Sequence, residues 1–264
     1  MTTNSEPIYT SRIIKASALI PDTLTLLSEW DTTRSVEDNL ARARHRNIFG
    51  KTSRARAEDI VNIFRQRFFT DPAVGLALVA MVKQAAPVQW ITPLLYFFSA
   101  QNDRTLRDMV VNALYPRRLA GQTAVSVDLV LGTLAEWVAE GRTTTRWGDC
   151  TTVRVAQGLL ATLRDFGILE GAVNKRLASV YLPVPSFAFI AHWLHGRELS
   201  GNRVLHSEEW RLFFLSVQEV ERLFMEAHQR HLLHYSAAGS VIRMEFPAAG
   251  LEEYAHVLIA QRAD

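Results

Sequence analysis

The apolar and polar positions between residues 35 and 69 predict two helices joined by a short turn. Ser35 is predicted to cap the first helix, because an acidic residue, Asp38, follows it three positions later. Residues 47–50 are predicted to end this helix. Thr52 or Ser53 can cap the second helix, whose apolar residues recur at helical spacing: Ala57, Ile60, Val61, Phe64 and Phe68. The order of these elements predicts a helix-turn-helix-like unit.

The rest of the N-terminal part of the chain also has a helical pattern. Residues 9–30 are predicted to form two short helices. Residues 73–114 are apolar almost all round, which is typical of buried helices, with predicted breaks at Pro87 and Pro93. A membrane span is not predicted, because Lys83 and the prolines interrupt this stretch.

Residues 115–118 and Gly121 have the composition of a break between lobes. We therefore predict a helical N-terminal lobe at residues 1–120 and a second lobe at residues 121–264. The predicted fold class is mainly α, with one small β-hairpin in the second lobe.

The second lobe begins with the elements of a winged helix. The pattern first predicts a helix that is capped by Ser126 and ends at Gly141, followed by a polar connection at residues 142–149. A second helix is predicted at residues 151–166 and stops at Gly167. A strand is predicted at residues 175–183. The hairpin that contains this strand would form the wing, at about residues 168–185. In winged helices, the second helix of the turn lies in the DNA major groove. A C-terminal helix at residues 210–233 and a strand are predicted to brace this lobe.

The helix at residues 151–166 is predicted to bury one face and to leave small residues outside. The inward positions are Val153, Ala156, Leu160 and Leu163, with Val155, Leu159 and Phe166 beside them, and the outward positions are Arg154, Gly158, Ala161 and Asp165. Small outward residues would let this face approach a groove closely.

The formal charge of +2 is unevenly distributed along the 264 residues. Residues 34–67 contain nine basic and four acidic residues, a local excess of five, so the remainder of the chain sums to minus three. We call residues 35–69, which contain eight of these nine basic residues, the basic segment; its charge suits a phosphate-backbone partner.

The candidate DNA-binding residues form two groups. In the basic segment they are Arg42, Arg44, Arg46, Lys51, Arg54 and Arg56. In the winged-helix region they are Arg146, Thr151, Thr152, Arg154, Gln157, Lys175 and Arg176. Arg154 and Gln157 can offer paired hydrogen bonds to base edges, whereas the residues near the helix N-terminus suit phosphates. Lys175 and Arg176 would contact the backbone or the minor groove from the wing.

Other patterns in the sequence do not predict catalysis. His228, His231 and His234 recur every three residues, but on one continuous helix they cannot converge on one metal ion. His192 and His195 are predicted to pack in a helix of the second lobe. The sequence contains no phosphate-binding glycine loop, dinucleotide glycine pattern, nucleophile motif or zinc-protease motif, so no enzyme, cofactor or metal is predicted.

The compartment is expected to be the cytoplasm. The chain starts without the basic and apolar regions of a secretory signal, and its single cysteine, Cys150, cannot form an intramolecular disulfide.

Several short strings resemble the BrxA family of bacteriophage-exclusion (BREX) phage-defence systems. They are RN at residues 46–47, GKTSR at 50–54, QGLLATLRDFGILEG at 157–171, YLPVP at 181–185, EAHQ at 226–229 and YSAAGSVIR at 235–243. The resemblance covers roughly residues 25–250. It implies a small helical protein with a winged helix that binds double-stranded DNA and is partly similar in fold to the antitermination factor NusB. The resemblance also implies that the protein acts together with the methyltransferase and ATPase components of the defence system.

Two other functions remain open at this point. The likeness to an antitermination factor and the basic segment also suit RNA binding. Alternatively, the chain can be a protein-only adaptor that uses the apolar residues 73–100 or its tryptophans as an interface.

Overall fold

A computed structural model describes residues 8–197, 200–239 and 241–261 of the chain. Within these ranges the fold is mainly α-helical with small antiparallel sheets, which confirms the predicted fold class. Residues 1–7 of the chain start and Ser240 of the YSAAGSVIR string lie outside them. The α-helices are α1 (Ile20–Ser28), α2 (Val36–Arg46), α3 (Arg54–Phe68), α4 (Pro72–Lys83), α5 (Val88–Gln101), α6 (Arg104–Asp108), α7 (Tyr115–Leu119), α8 (Val127–Ala139), α9 (Asp149–Asp165), α10 (Val184–His195), α11 (Gly201–Leu205), α12 (Val217–Gln229) and α13 (Leu251–Ala260).

Five short strands form two antiparallel sheets in the described residues. The strands are β1 (Ala124–Val125), β2 (Leu169–Glu170), β3 (Lys175–Leu177), β4 (His234–Ala238) and β5 (Val241–Glu245). The first three form a sheet in the order β1-β3-β2, and β4 pairs with β5 in a hairpin. The strand predicted at residues 175–183 is shorter than expected: the Ala178 amide still donates to the Ile168 carbonyl, but residues 178–183 form no strand before α10 begins.

Internal packing divides the chain into two compact units, each built from separate stretches of sequence. Unit 1 contains the described residues of Met1–Leu19, Tyr96–Val180 and Arg211–Phe214. Unit 2 contains the described residues of Ile20–Leu95, Tyr181–Trp210 and Leu215–Asp264. The predicted domain boundary near residue 121, which divides the sequence into two continuous lobes, stays a prediction.

Local capping explains why α2 and α3 form where the sequence predicts them. The Ser35 hydroxyl accepts a hydrogen bond from the Asp38 amide, and Asn47 ends α2 in the left-handed conformation at φ 47°. Ser53 caps α3 by accepting from the Arg56 amide. The buried residues of α3 include all five apolar positions named from the pattern, so the two predicted helices are confirmed.

The apolar stretch after α3 forms the buried helices that its pattern predicts, but the helices continue through Pro93 and residues 115–118, where breaks were expected. Pro93 lies inside α5, where a proline removes one helical hydrogen bond at a cost of about 3 kcal/mol. Leu94, Leu95 and other residues around it are fully buried, and this packing offsets that cost. Residues 115–118 are also helical, because α7 continues directly from a π-helix at Met109–Leu114; the chain leaves the helix only at residues 120–123, where Gly121 adopts φ 72°. Among the described residues, no helix is long and apolar enough to cross a membrane.

The single helix predicted at residues 210–233 is wrong. A 3-10 helix at Glu208–Phe213 ends before Phe214, which adopts a positive φ of 57°. α12 then starts at a capping box, in which Ser216 and Glu219 satisfy each other's backbone amides. Ser216 and Glu219 have the spacing of this motif in the sequence, so the helix start was predictable.

Candidate nucleic-acid interface

Unit 1 contains the sequence of elements predicted for a winged helix. α8 is capped by Ser126 and followed by Gly141 at φ 68°, and a short connection leads to α9, which starts two residues earlier than predicted. Gly167, at φ 75°, follows α9 and is succeeded by the β2–β3 hairpin. β1, which directly precedes α8, pairs with β3, so the three-stranded sheet brings the start of α8 to the hairpin.

The connection between α8 and α9 is held by the N-terminal segment of the chain. The amides of Ile8 and Tyr9 donate to the Arg142 carbonyl oxygen at 2.8 and 3.0 Å. The Thr144 amide and hydroxyl in turn donate to the Tyr9 carbonyl oxygen at 2.9 and 3.2 Å. These backbone bonds fix the path of the chain just before α9.

The side chain of Tyr9 ties this connection to the interior of unit 1. Its ring is fully buried and stacks on Trp137 of α8, with 3.9 Å between ring centroids. Its hydroxyl donates to an Asp108 carboxylate oxygen at 3.1 Å and accepts from the Arg142 guanidinium. Burial, reinforced by the Asp108 charge, raises the pKa of the Tyr9 phenol well above its usual value.

The carboxylate that Tyr9 contacts is itself a buried charge with several donors. Asp108 is 1% exposed and forms ion pairs with Arg104 at 3.1 Å and with Arg107 at 3.0 Å. Such a group is stable only with its hydrogen bonds complete. The role of Tyr9 does not show in the local sequence, because its partners lie 99 and 133 residues away in the chain.

Exposed polar side chains lie on α9 and on the connection that precedes it. Arg146, Arg154 and Gln157 are exposed, and no hydrogen bond or ion pair ties them to another described residue. Thr151 and Thr152 are half-buried, and the Thr152 hydroxyl donates to the Gly148 carbonyl at 3.2 Å. Arg154 and Gln157 lie three residues apart and therefore share one helix face. We call Arg146, Arg154 and Gln157 the α9 surface.

The predicted wing residues lie on β3. The Lys175 ammonium donates to the Ala172 carbonyl oxygen at 2.8 Å, and Arg176 pairs with Glu170 at 2.6 Å across the hairpin. The Arg176 side chain is still 68% exposed. Both cations therefore stay near solvent, although each also supports the hairpin.

Two details predicted for α9 are wrong. Gly158 does not face outward: a Cβ built on it would lie 2.9 Å from the carbonyl oxygen of Ile13, in the 3-10 helix Ser11–Ile14. Val153, predicted to be buried, is 39% exposed. The 3-10 helix covers part of the face that was expected to be free, so the close approach of small residues to a groove does not occur at Gly158.

Acidic side chains also lie at both ends of α9. Asp149 occupies the first turn and is exposed, and Asp165 pairs with Arg164 at the other end at 2.9 Å. A carboxylate at a helix N-terminus is favourable for the helix dipole but repels a phosphate. The positive charge of the α9 surface is therefore concentrated at Arg146 and Arg154.

The basic segment, in unit 2, uses several of its predicted cations internally. Arg42 donates to the Glu29 carbonyl and pairs with Asp31 at 3.6 Å. The other internal pairs of predicted cations are Arg44 with Glu58 at 3.5 Å and Lys51 with Asp22 at 2.9 Å. These three cations already have anionic partners.

The remaining cations of the basic segment fall into two kinds. Arg46 and Arg54 are exposed, with no ion pair to another described residue. Arg56 is half-buried and has a partner within the protein. The segment therefore presents fewer available charges than its composition indicates.

The histidines at residues 228, 231 and 234 do not lie on one helix. α12 ends at Gln229, and His231 adopts a positive φ of 56°. The rings of His228 and His234 approach to 5.1 Å between centroids beside a cleft that Glu245 also lines. Within the described ranges, no three histidine, cysteine or carboxylate side chains are placed to hold a metal ion. His192, by contrast, is buried in α10 as predicted and stacks on Tyr254.

Comparison with known proteins gives the family. A search of the curated proteins finds no match to the chain. The family model described as BrxA matches residues 7–193, which include the strings at residues 46–47, 50–54, 157–171 and 181–185 but not those at 226–229 and 235–243. The match covers both candidate groups of DNA-binding residues. Because it spans most of the chain, the protein belongs to the BrxA family, which associates it with bacteriophage-exclusion systems.

Proposed function

We propose that the protein is a non-catalytic, cytoplasmic component of a bacteriophage-exclusion system that binds double-stranded DNA. The observation that carries this proposal is the α9 surface, where two arginines and a glutamine are exposed and have no hydrogen-bond or ion-pair partner among the described residues. Exposed guanidinium groups form bidentate hydrogen bonds with phosphates and with guanine edges, and glutamine does so with adenine.

The order of elements around α9 supports the same proposal. A helix, a short connection, a second helix and a hairpin are the components of a winged helix, in which the second helix enters the major groove. In this arrangement Arg154 and Gln157 contact base edges and Arg146 contacts a phosphate, while Lys175 and Arg176 contact the backbone beside the hairpin. Arg46 and Arg54 give the basic segment a smaller, separate contribution.

A salt-resolved titration with a random-sequence duplex tests the proposal. We expect affinity to fall steeply as salt rises, with a log–log slope of about −0.9 for each phosphate that is neutralised. Absence of binding at low salt, or affinity that does not change with salt, would contradict DNA binding.

Two further measurements separate this function from its alternatives. Competition between duplex DNA and structured RNA of equal length tests RNA binding, because the deep, narrow major groove of an RNA helix excludes a recognition helix. The family resemblance also suggests the methyltransferase and ATPase components as protein partners. A pull-down with these components, repeated after nuclease treatment, distinguishes a direct protein contact from one that DNA bridges.

A further inference from the structure

The tip of the β2–β3 hairpin carries an apolar side chain in an unusual position. Val173 is 87% exposed, more than any other large hydrophobic residue in the described part of the chain. Its neighbours Ala172 and Asn174 are exposed as well. The tip therefore presents a small apolar surface with a single amide beside it, next to the cationic residues of β3.

This tip is a tightly built turn. Gly171 adopts φ 92°, and a Cβ on it would lie only 2.2 Å from the Asn174 carbonyl oxygen, so the turn requires glycine. Lys175 closes the turn through the Ala172 carbonyl, and the Arg176–Glu170 pair bridges the two strands behind it. The backbone thus holds Val173 away from the protein.

The chemistry of the tip suits one part of a DNA duplex better than the others. A phosphate needs a cation or an N–H donor, and the side chains of Ala172 and Val173 offer neither. The minor groove is about 6 Å wide and is walled by sugars, and apolar side chains are often inserted there. The Asn174 amide can donate to the acceptors on the groove floor.

We propose that the hairpin tip enters the DNA minor groove, with Val173 against its floor and walls and Asn174 beside it. This inference rests on the proposed DNA binding and adds a base preference to it. A G·C pair places the amino group of guanine on the groove floor, where an apolar side chain would obstruct it and leave it without a hydrogen-bond partner. An A·T pair has no such group, so the tip favours A·T-rich DNA.

Duplexes that contain inosine isolate this effect. An inosine–cytosine pair has the major-groove edge of G·C but lacks the minor-groove amino group, so a preference for it over G·C arises in the minor groove. We would measure affinity for alternating A·T, G·C and I·C duplexes of equal length at one salt concentration. The proteins are the full chain, Val173→Ser, and Val241→Ser as a matched control, since Val241 is a 58% exposed valine at the turn of the β4–β5 hairpin.

We expect the full chain and Val241→Ser to bind the I·C and A·T duplexes at least about fivefold more tightly than G·C, the size of one unfavourable base contact. Val173→Ser should lose most of this difference. Equal binding of I·C and G·C by the full chain would overturn the minor-groove inference while DNA binding stands, as would an unchanged preference in Val173→Ser. Failure to bind any of the duplexes would overturn the proposed function itself.

Discussion

Two basic regions of the molecule, the basic segment and the α9 surface, differ in what their cations already bind. The basic segment has the larger positive excess in the sequence, yet Arg42, Arg44 and Lys51 all pair with anionic groups of unit 2. The α9 surface has only two arginines, and both are exposed with no ion pair to the residues that the structure describes. A cation with an internal partner must lose that interaction before it neutralises a phosphate, so the number of arginines in a segment overstates its capacity for DNA.

The difference extends to what holds each surface in place. The connection that leads into α9 is fixed by backbone hydrogen bonds to Tyr9 and by the buried Asp108 network. Arg42, by comparison, stabilises its own region through the Glu29 carbonyl and Asp31. One region uses buried residues to position free cations, whereas the other uses the cations themselves as structural groups.

The largest expected effect comes from charge reversal on the α9 surface. Arg146→Glu combined with Arg154→Glu replaces two attractive charges by two repulsive ones, and we expect DNA affinity to fall on the order of a hundredfold at low salt. The control is Arg222→Glu with Arg243→Glu, which changes the net charge equally at two exposed arginines, on α12 and β5, that have no ion pair to another described residue. Equal losses in the two double variants would mean that overall charge, and not this surface, drives binding.

Tyr9→Phe tests whether the buried network positions the α9 surface. Removing the hydroxyl takes one donor from buried Asp108 and one acceptor from Arg142, so the free energy of unfolding should fall by about 1–3 kcal/mol. Denaturant unfolding measures this loss, and a titration well below the unfolding transition should show weaker DNA binding by the folded variant. Tyr181→Phe is the control, because that tyrosine is 75% exposed. Full DNA affinity in a destabilised Tyr9→Phe would limit the network to a role in stability.

The sequence predicts the features of both regions that depend on neighbouring residues. Ser35, Ser53 and Ser126 cap helices where their spacing indicates, and Gly141 and Gly167 end them, because capping involves groups only a few residues apart. These local rules were enough to predict both helix pairs and the hairpin. They do not determine which residues from distant parts of the chain meet.

The errors in the candidate site come from such distant contacts. Helical periodicity predicts that Gly158 faces outward, but the carbonyl of Ile13 occupies the space beside it. Lys51 has the pattern of a free surface cation, but Asp22 lies 2.9 Å away. Neither helical periodicity nor charge counting includes these neighbours, so the helices were predicted better than the faces and cations that remain accessible on them.

The smallest expected effects compare free with paired cations inside the basic segment. Arg46→Ala with Arg54→Ala removes two unpaired charges, and each arginine that contacts a phosphate should reduce the salt slope by about 0.9. Arg44→Ala with Lys51→Ala removes the same charge from cations that already pair with Glu58 and Asp22; because these cations are expected to make no phosphate contact, the salt slope should stay unchanged. Both double variants are titrated with the same duplex over the same salt series. Equal salt slopes for the two double variants would show that the internal ion pairs break when DNA binds. The distinction between free and paired cations would then fail for this region.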